Sequence, residues 1–287
     1  MLKGALIRME EAFHMLTPME KKTAEYILKH PSETVNMSVQ KLAELAEVSE
    51  ATIVRLSRTL NCKGFQDLKL KIAADLSYSP SDSETDSYQE IRSEAAVSDL
   101  VQSISHNNIK SIQDTILVLS VEALEQAIHK LQRARKIAIF GIGASAIIAE
   151  DFQQKLMRIN RWCESGYSFN AQATIAANLN ENDVALGISY SGQTKDTIRS
   201  LEIAKENGAN VISLTKFGSN PVANLADICL HTSSLEKSIR TGAMASRMAQ
   251  LNIIDILYVG IASGNIEENI QLLERTRLAV SSSKQNK

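Results

Sequence analysis

Beyond Leu100 the sequence alternates short apolar runs with longer segments of helical period, and this alternation leaves few folds open. Residues 136–141, 183–189, 210–215 and 228–231 are rich in Ile, Val, Ala and Leu and too short for buried helices. Strands that are apolar on both faces must be covered on both faces, which is the condition met by a parallel sheet with crossover helices. Residues 146–159 and 194–207 have the helical period to provide that cover, and 162–164 reads as one more short strand. A long apolar-striped helix is expected after Ser238, with a more polar one closing the chain.

The first part of the chain has a different texture. From residue 17 to about 74 it reads as short helices with tight breaks, Pro18 starting one after Thr17 and Pro31 stopping it after His30. A run of alternating Ser and acidic residues around Pro80 has little to bury and reads as a solvated tether. A chain of 287 residues suits about two domains. The expected organisation is an all-α domain at 1–77, an acidic Ser-rich linker at 78–100 and an α/β domain at 101–287. No apolar run approaches the roughly 18 residues of a membrane span. Cys62, Cys163 and Cys229 form no CxxC pair, which fits free thiols in a reducing cytoplasm.

Within the first domain, residues 39–46 are helical in period with Ser38 placed to cap them. After a break at Glu47-Val48, Ser49 caps a second helix over 50–60. Leu42, Val48, Ile53 and Leu56 fall at the spacing of a helix-turn-helix, and small Ala43 lets the two helices cross closely. The outer face of the second helix carries Glu50, Ala51, Arg55 and Arg58, the positions that meet base edges and phosphates in a major groove. Ser49 serves as cap and phosphate neighbour, whereas Thr52 turns either to the DNA or to the first helix. The net charge of −2 does not mark a nucleic-acid binder. Locally, however, Arg55, Arg58, Lys63, Lys69 and Lys71 face only Asp67, a bias suited to phosphate. Glu47 stands where such turns commonly have glycine, so its backbone is expected to be strained or the turn a variant.

In the second domain two loops follow expected strands and lead into helices. Gly141-Ile142-Gly143-Ala144-Ser145 allows a sharp turn and offers helix N–H groups to an anion. Gly141, Gly143 and Ala146 also satisfy the permissive G-x-G-x-x-A dinucleotide form, with Glu164 about 20 residues on. The second loop, Ser189-Tyr190-Ser191-Gly192-Gln193-Thr194, decides against a dinucleotide. A helix cap needs one hydroxyl. Ser189, Ser191 and Thr194 bring three, which suits a phosphomonoester on a sugar.

These two loops together resemble the sugar isomerase (SIS) domain, a phosphosugar-binding α/β sandwich. The run Val48-Ser49-Glu50-Ala51-Thr52-Ile53-Val54-Arg55, followed by Lys63-Gly64-Phe65, resembles the DNA-binding domain of the RpiR family of bacterial regulators. The resemblance spans nearly the whole chain and implies a helix-turn-helix domain followed by an SIS domain with helices on both faces of a parallel sheet. It implies a transcriptional regulator, a homodimer or homotetramer, whose affinity for double-stranded operator DNA responds to a sugar phosphate. Regulators of N-acetylmuramic acid 6-phosphate use look nearest. By the SIS pattern, Ser145, Ser189, Ser191 and Thr194 hold the phosphate, while Gly143, Gly192 and Gln193 shape the loops. Glu236 and Arg240 fall where such domains place groups near the sugar ring, and Lys63 joins Ser49 to Thr52, Arg55 and Arg58 as DNA contacts.

The competing reading is a phosphosugar isomerase, for which Glu236 or His231 would be the base. His231 closes an expected strand and reads as structural, and an isomerase has no use for the first domain. No metal site, cofactor or catalytic residue is expected, and the protein is expected in the cytoplasm.

Overall fold

The computed structural model describes residues 4–76, 96–233 and 243–282. The head is helical: α1 (Ala5–Ala12), α2 (Pro18–Lys29), α3 (Pro31–Thr34), α4 (Val39–Leu45), α5 (Glu50–Thr59) and α6 (Phe65–Leu76). The second domain follows as α7 (Val97–Val118), α8 (Val121–Arg133), β1 (Ile137–Phe140), α9 (Ala144–Arg158), β2 (Cys163–Ser165), α10 (Phe169–Ala177), β3 (Val184–Ile188), α11 (Lys195–Glu206), β4 (Asn210–Lys216), α12 (Pro221–Leu225), β5 (Ile228–Thr232), α13 (Met244–Ala262) and α14 (Ile266–Ser282). Residues 97–100, read from the sequence as the end of the linker, form the first turn of α7, and 78–95 lie outside the described residues. Among the described residues no helix is long and apolar enough to cross a membrane.

The five strands form one parallel sheet in the order β2-β1-β3-β4-β5. Side chains alternate strictly across it, as the pleat requires. Ile137, Ile139, Val184, Leu186, Ile188, Ile212, Leu214 and Leu230 face the core under α8, α9 and α13. Ala138, Phe140, Ala185 and Val211 face α10, α11 and α12. Ala138, Ala185 and Gly187 keep the middle of this face low, so α11 approaches it closely. A Cβ on Gly187 would lie 2.4 Å from Leu201 Cδ1 of α11. Asp183 sits at the foot of β3, fully buried and bridged by Arg135 Nε and Nη2 at 3.0 and 2.6 Å.

The head is built as its caps direct. Thr17 and Glu20 form a capping box at α2 with Pro18 at N1, and Ser38 and Ser49 cap α4 and α5. Glu47 takes φ 51°, the left-handed conformation that its place in the turn led us to expect. Its carboxylate lies 2.6 Å from Lys22 Nζ of α2, which fastens the turn from outside. Helix α1 has no side-chain cap of its own; Asp75 of α6 accepts from the Gly4 and Leu6 amides instead.

The head is also docked on the second domain, beyond what a tether supplies. Val118 and Phe217 are part of the head's own hydrophobic core. Arg8 of α1 donates to Leu117 O at 3.2 Å and stacks its guanidinium 5.8 Å from the Phe217 ring centre. Ser233, after β5, donates to Glu11 Oε1 at 2.7 Å. His231 packs edge-on against Phe217, with ring centres 5.3 Å apart, in the structural role the sequence suggested.

Burial pushes the His231 imidazole down to about 4; the Lys216 backbone opposes the shift and the Arg8 charge adds to it. The unfolded chain takes up this proton below about pH 6.5, the folded one only near 4. Stability from this group is therefore complete above pH 6.5 and declines as pH falls toward 4. Between pH 7.5 and 5 the wild type should lose about 1–2 kcal/mol more than His231→Gln in urea unfolding. Equal losses in the two proteins would remove His231 from the acid response.

Candidate functional site

On the head, the outward face of α5 presents Ser49, Glu50, Ala51, Arg55 and Arg58, all exposed, with Lys63 just beyond the helix. Ile53 and Leu56 fill the opposite face and have no exposure, so the helix can present its polar side in only one direction. Thr52 takes the inward alternative. It is 2% exposed, its hydroxyl lies 2.9 Å from Ser49 Oγ, and it accepts from Arg55 Nη2 at 3.2 Å. Its place is therefore behind the face, holding Arg55. Gln40 of α4 lies 3.4 Å from Glu50 and links the two helices at their outer edge.

The basic cluster is smaller than its composition suggested. Lys71 is buried and donates to Asn61 O at 3.0 Å and lies 3.1 Å from Asp67. Lys69 donates to Met37 O at 2.8 Å and lies over the Phe65 ring. Both lysines close the head's own loops. Asp67, held below the usual carboxylate range first by the Lys63 amide and then by Lys71, completes that network. Arg55, Arg58 and Lys63 remain outward.

On the second domain, the loops after β1 and β3 lie side by side, because these strands are hydrogen-bonded neighbours. Strand order reverses at this point, and α9 and α11 leave to opposite faces of the sheet. Such a switch point opens a crevice at the carboxyl ends of the strands, where ligands of doubly wound sheets bind. Gly143 is the exposed N-cap of α9 at φ 62°, with Ser145 one turn position inside the helix. Gly141 is required by close approach, since a Cβ there would lie 2.7 Å from Ser145 O.

In the second loop, the Ser189 and Thr194 hydroxyls are 3.0 Å apart, and Ser189 Oγ accepts from the Gly192 amide at 3.1 Å. Ser189 is 2% exposed, a brace of the loop, while Ser191 and Thr194 are half-open and Gln193 is exposed. The Gln193 amide donates to Ser191 Oγ at 3.3 Å. Thr194 stands at the N-cap of α11 yet makes no cap bond. Ser120, Ser168 and Asn220 do cap α8, α10 and α12. The amides that open α11 are thus left by their own cap residue for another acceptor.

Two supports of this cradle carry no signal in the linear sequence. Fully buried Gln172 donates to Gly141 O and Gly166 O, each at 2.8 Å, and Ser200 of α11 lies 3.4 Å from its Oε1. Asn220 presses on Gly192 so closely that a Cβ there would lie 1.9 Å from Asn220 Oδ1. Gly192 itself has φ 66°. Glu236 and Arg240 lie outside the described residues.

Comparison with known proteins agrees with both halves. Residues 3–79 match the helix-turn-helix domain of the rpiR family, and residues 130–260 match the SIS domain. An uncharacterized HTH-type transcriptional regulator of Caldanaerobacter subterraneus subsp. tengcongensis is 43% identical over 98% of both chains. The uncharacterized HTH-type transcriptional regulator YbbH of Bacillus subtilis is 36% identical over 98% of this chain and 99% of its own. Among solved structures, the NanR protein of Vibrio vulnificus, complexed with ManNAc-6P, shares the fold at a TM-score of 0.61 and 24% identity, covering 97% of this chain and 98% of its own. Head, sheet and relatives agree: this chain belongs to the RpiR family, transcriptional regulators that join a DNA-binding helix-turn-helix to a phosphosugar-binding SIS domain.

Proposed function

We propose that the regulator's effector is the 6-phosphate of an N-acetylated amino sugar, with its phosphate held between the N-termini of α9 and α11. The observation that carries the phosphate site is Thr194, an N-cap residue that leaves the α11 amides open beside the α9 N-terminus. Two helix N-termini converging on one crevice favour a dianion, and hydroxyls complete its coordination without a counter-cation. Ser145, Ser191 and Thr194 bind the phosphate, Ser189 braces them, and Gly143, Gly192 and Gln193 shape the loops. Glu236 and Arg240 are assigned to the sugar ring. The ManNAc-6P complex of NanR supports the amino-sugar class, within which N-acetylmuramic acid 6-phosphate is the other candidate.

On the head, α5 enters the major groove. Arg55 reads base edges with Glu50 and Ala51, while Arg58, Lys63 and Ser49 contact phosphates and Thr52 holds Arg55 in place. We read the molecule as a cytoplasmic homo-oligomer that docks two heads on half-sites about 34 Å, one helical turn, apart. Exposed Val97, Val101 and Ile109 on α7 and Ile266, Ile270 and Val280 on α14 supply apolar surface for self-association. A regulatory rather than catalytic role is supported by His231. It lies under Phe217 and Arg8, held neutral, where the head covers it.

Two substitutions separate the halves. With a duplex selected from random sequence by the wild type, Arg55→Ala should weaken binding by about 1–3 kcal/mol and leave calorimetric binding of the sugar phosphate unchanged. Ser191→Ala should do the reverse. Unaltered DNA affinity in Arg55→Ala would remove α5 as the reading helix.

Gly192→Ala should cost more than Ser191→Ala. Its Cβ meets Asn220 and its φ is positive, so both stability and effector binding should fall while the isolated fold of the head, followed by duplex binding, persists. Retained sugar-phosphate affinity in this variant would place the ligand away from the 189–194 loop.

A further inference from the structure

We infer that residues 216–220, from the last residue of β4 to the N-cap of α12, are the surface through which the head senses the effector loop. The inference rests on the effector site proposed at 189–194. One side of this short segment is bonded to that loop. The Lys216 amide donates to Tyr190 O at 2.9 Å, Asn220 presses against Gly192, and the Val222 amide that follows donates to Gly192 O at 3.1 Å. The other side is in the head. Phe217 is 2% exposed within the head's core, lies under the Arg8 guanidinium, and Met15 Sδ would be 3.1 Å from a Cβ on Gly218. A shift of the 189–194 loop therefore reaches α1 through a segment bonded to the loop and packed, at Phe217, against Arg8. Contact of this kind couples two sites when both bias one element.

The docked interface is also poised to release. Arg8 is 7% exposed and faces no carboxylate at salt-bridge distance among the described residues; its Nε is buried with no partner there. The Nδ1 of His231, edge-on to Phe217, is likewise buried without a partner among the described residues. Lys216 adds a further cation; burial first, and then its charge, depress the neighbouring His14. Burying a guanidinium with one backbone acceptor offsets much of what Phe217 and Val118 gain by packing. A head so held can be shifted by a ligand that binds its two positions with modestly different affinity. The sensor thus acts on the geometry of α1, and through α6 and α2 on the angle at which α5 meets DNA.

The test uses the full chain, the selected duplex and ManNAc-6-phosphate or N-acetylmuramic acid 6-phosphate, whichever gives heat on titration. Arg8→Met keeps the packing volume and removes the unpaired charge, so it should hold the head docked; Phe217→Leu should loosen it. The two variants should shift duplex affinity without sugar phosphate in opposite directions. Both should shrink the change that the sugar phosphate produces, from the about 5- to 150-fold usual for coupled sites to less than about 2-fold, while still giving heat with it. Because Phe217→Leu touches a core, hydrogen exchange on the wild type gives a second reading. Sugar phosphate should change the exchange of amides 5–16 together with those of 216–222. Heat of binding with unchanged exchange at 5–16, or a wild-type response in both variants, would overturn the coupling surface and leave the effector site standing. No heat with either compound would overturn the effector reading, and the coupling surface with it.

Discussion

The reversal of strand order between β1 and β3 is the constraint from which the sensor half follows. A right-handed crossover from β1 places α9 on one face of the sheet, and the crossover from β3 places α11 on the other. The two helices start side by side above the strand ends and then diverge. The wedge between them is open to a ligand at the ends of the strands. The glycines at 141 and 192 let the loops approach their supports, Ser145 and Asn220, more closely than any side chain would permit. Gln172 then joins the loops after β1 and β2 to α11. Without that buried amide, the carbonyls of Gly141 and Gly166 would lose the donor they share, at a cost of the order of 1–3 kcal/mol for each unsatisfied group.

The head answers to a different constraint, the close crossing of α4 and α5. A small residue at Ala43 and a left-handed residue at Glu47 make the crossing possible, and the Lys22 ion pair sits over the strained turn. Charge in this domain is divided by task. Lys69 and Lys71 bond carbonyls of the short loops, while Arg55, Arg58 and Lys63, on or next to α5, stay outward. Thr52 prepares Arg55 before any duplex arrives, which reduces the side-chain entropy lost on binding.

Much of this was readable from residue order. The strands, their both-sided burial, the caps at Thr17, Ser38 and Ser49, and the two glycine- and hydroxyl-bearing loops all depend on interactions within a few positions of the chain. The strained Glu47 turn was readable for the same reason. Thr52 stayed open between two directions because helical phase puts it at the border of the buried stripe, and only the packed neighbour decides such a residue. Lys69 and Lys71 look like surface cations in sequence; their carbonyl partners at Met37 and Asn61 come from distant or folded-back loops.

The sequence by itself determined which segments are strands and helices, which helix could read DNA and which loops could hold an anion. Local chemistry specifies these: period, caps, glycine conformations and hydroxyl spacing. Only the tertiary structure decided that the loops after β1 and β3 share one crevice, and that Gln172 and Asn220 brace it. It alone also decided that Arg8, Met15 and Phe217 join the head to the sensor. Those contacts link residues up to about 200 positions apart, as Arg8 and Phe217 are. Their partners are chosen by how whole elements stack, which no short-range pattern records.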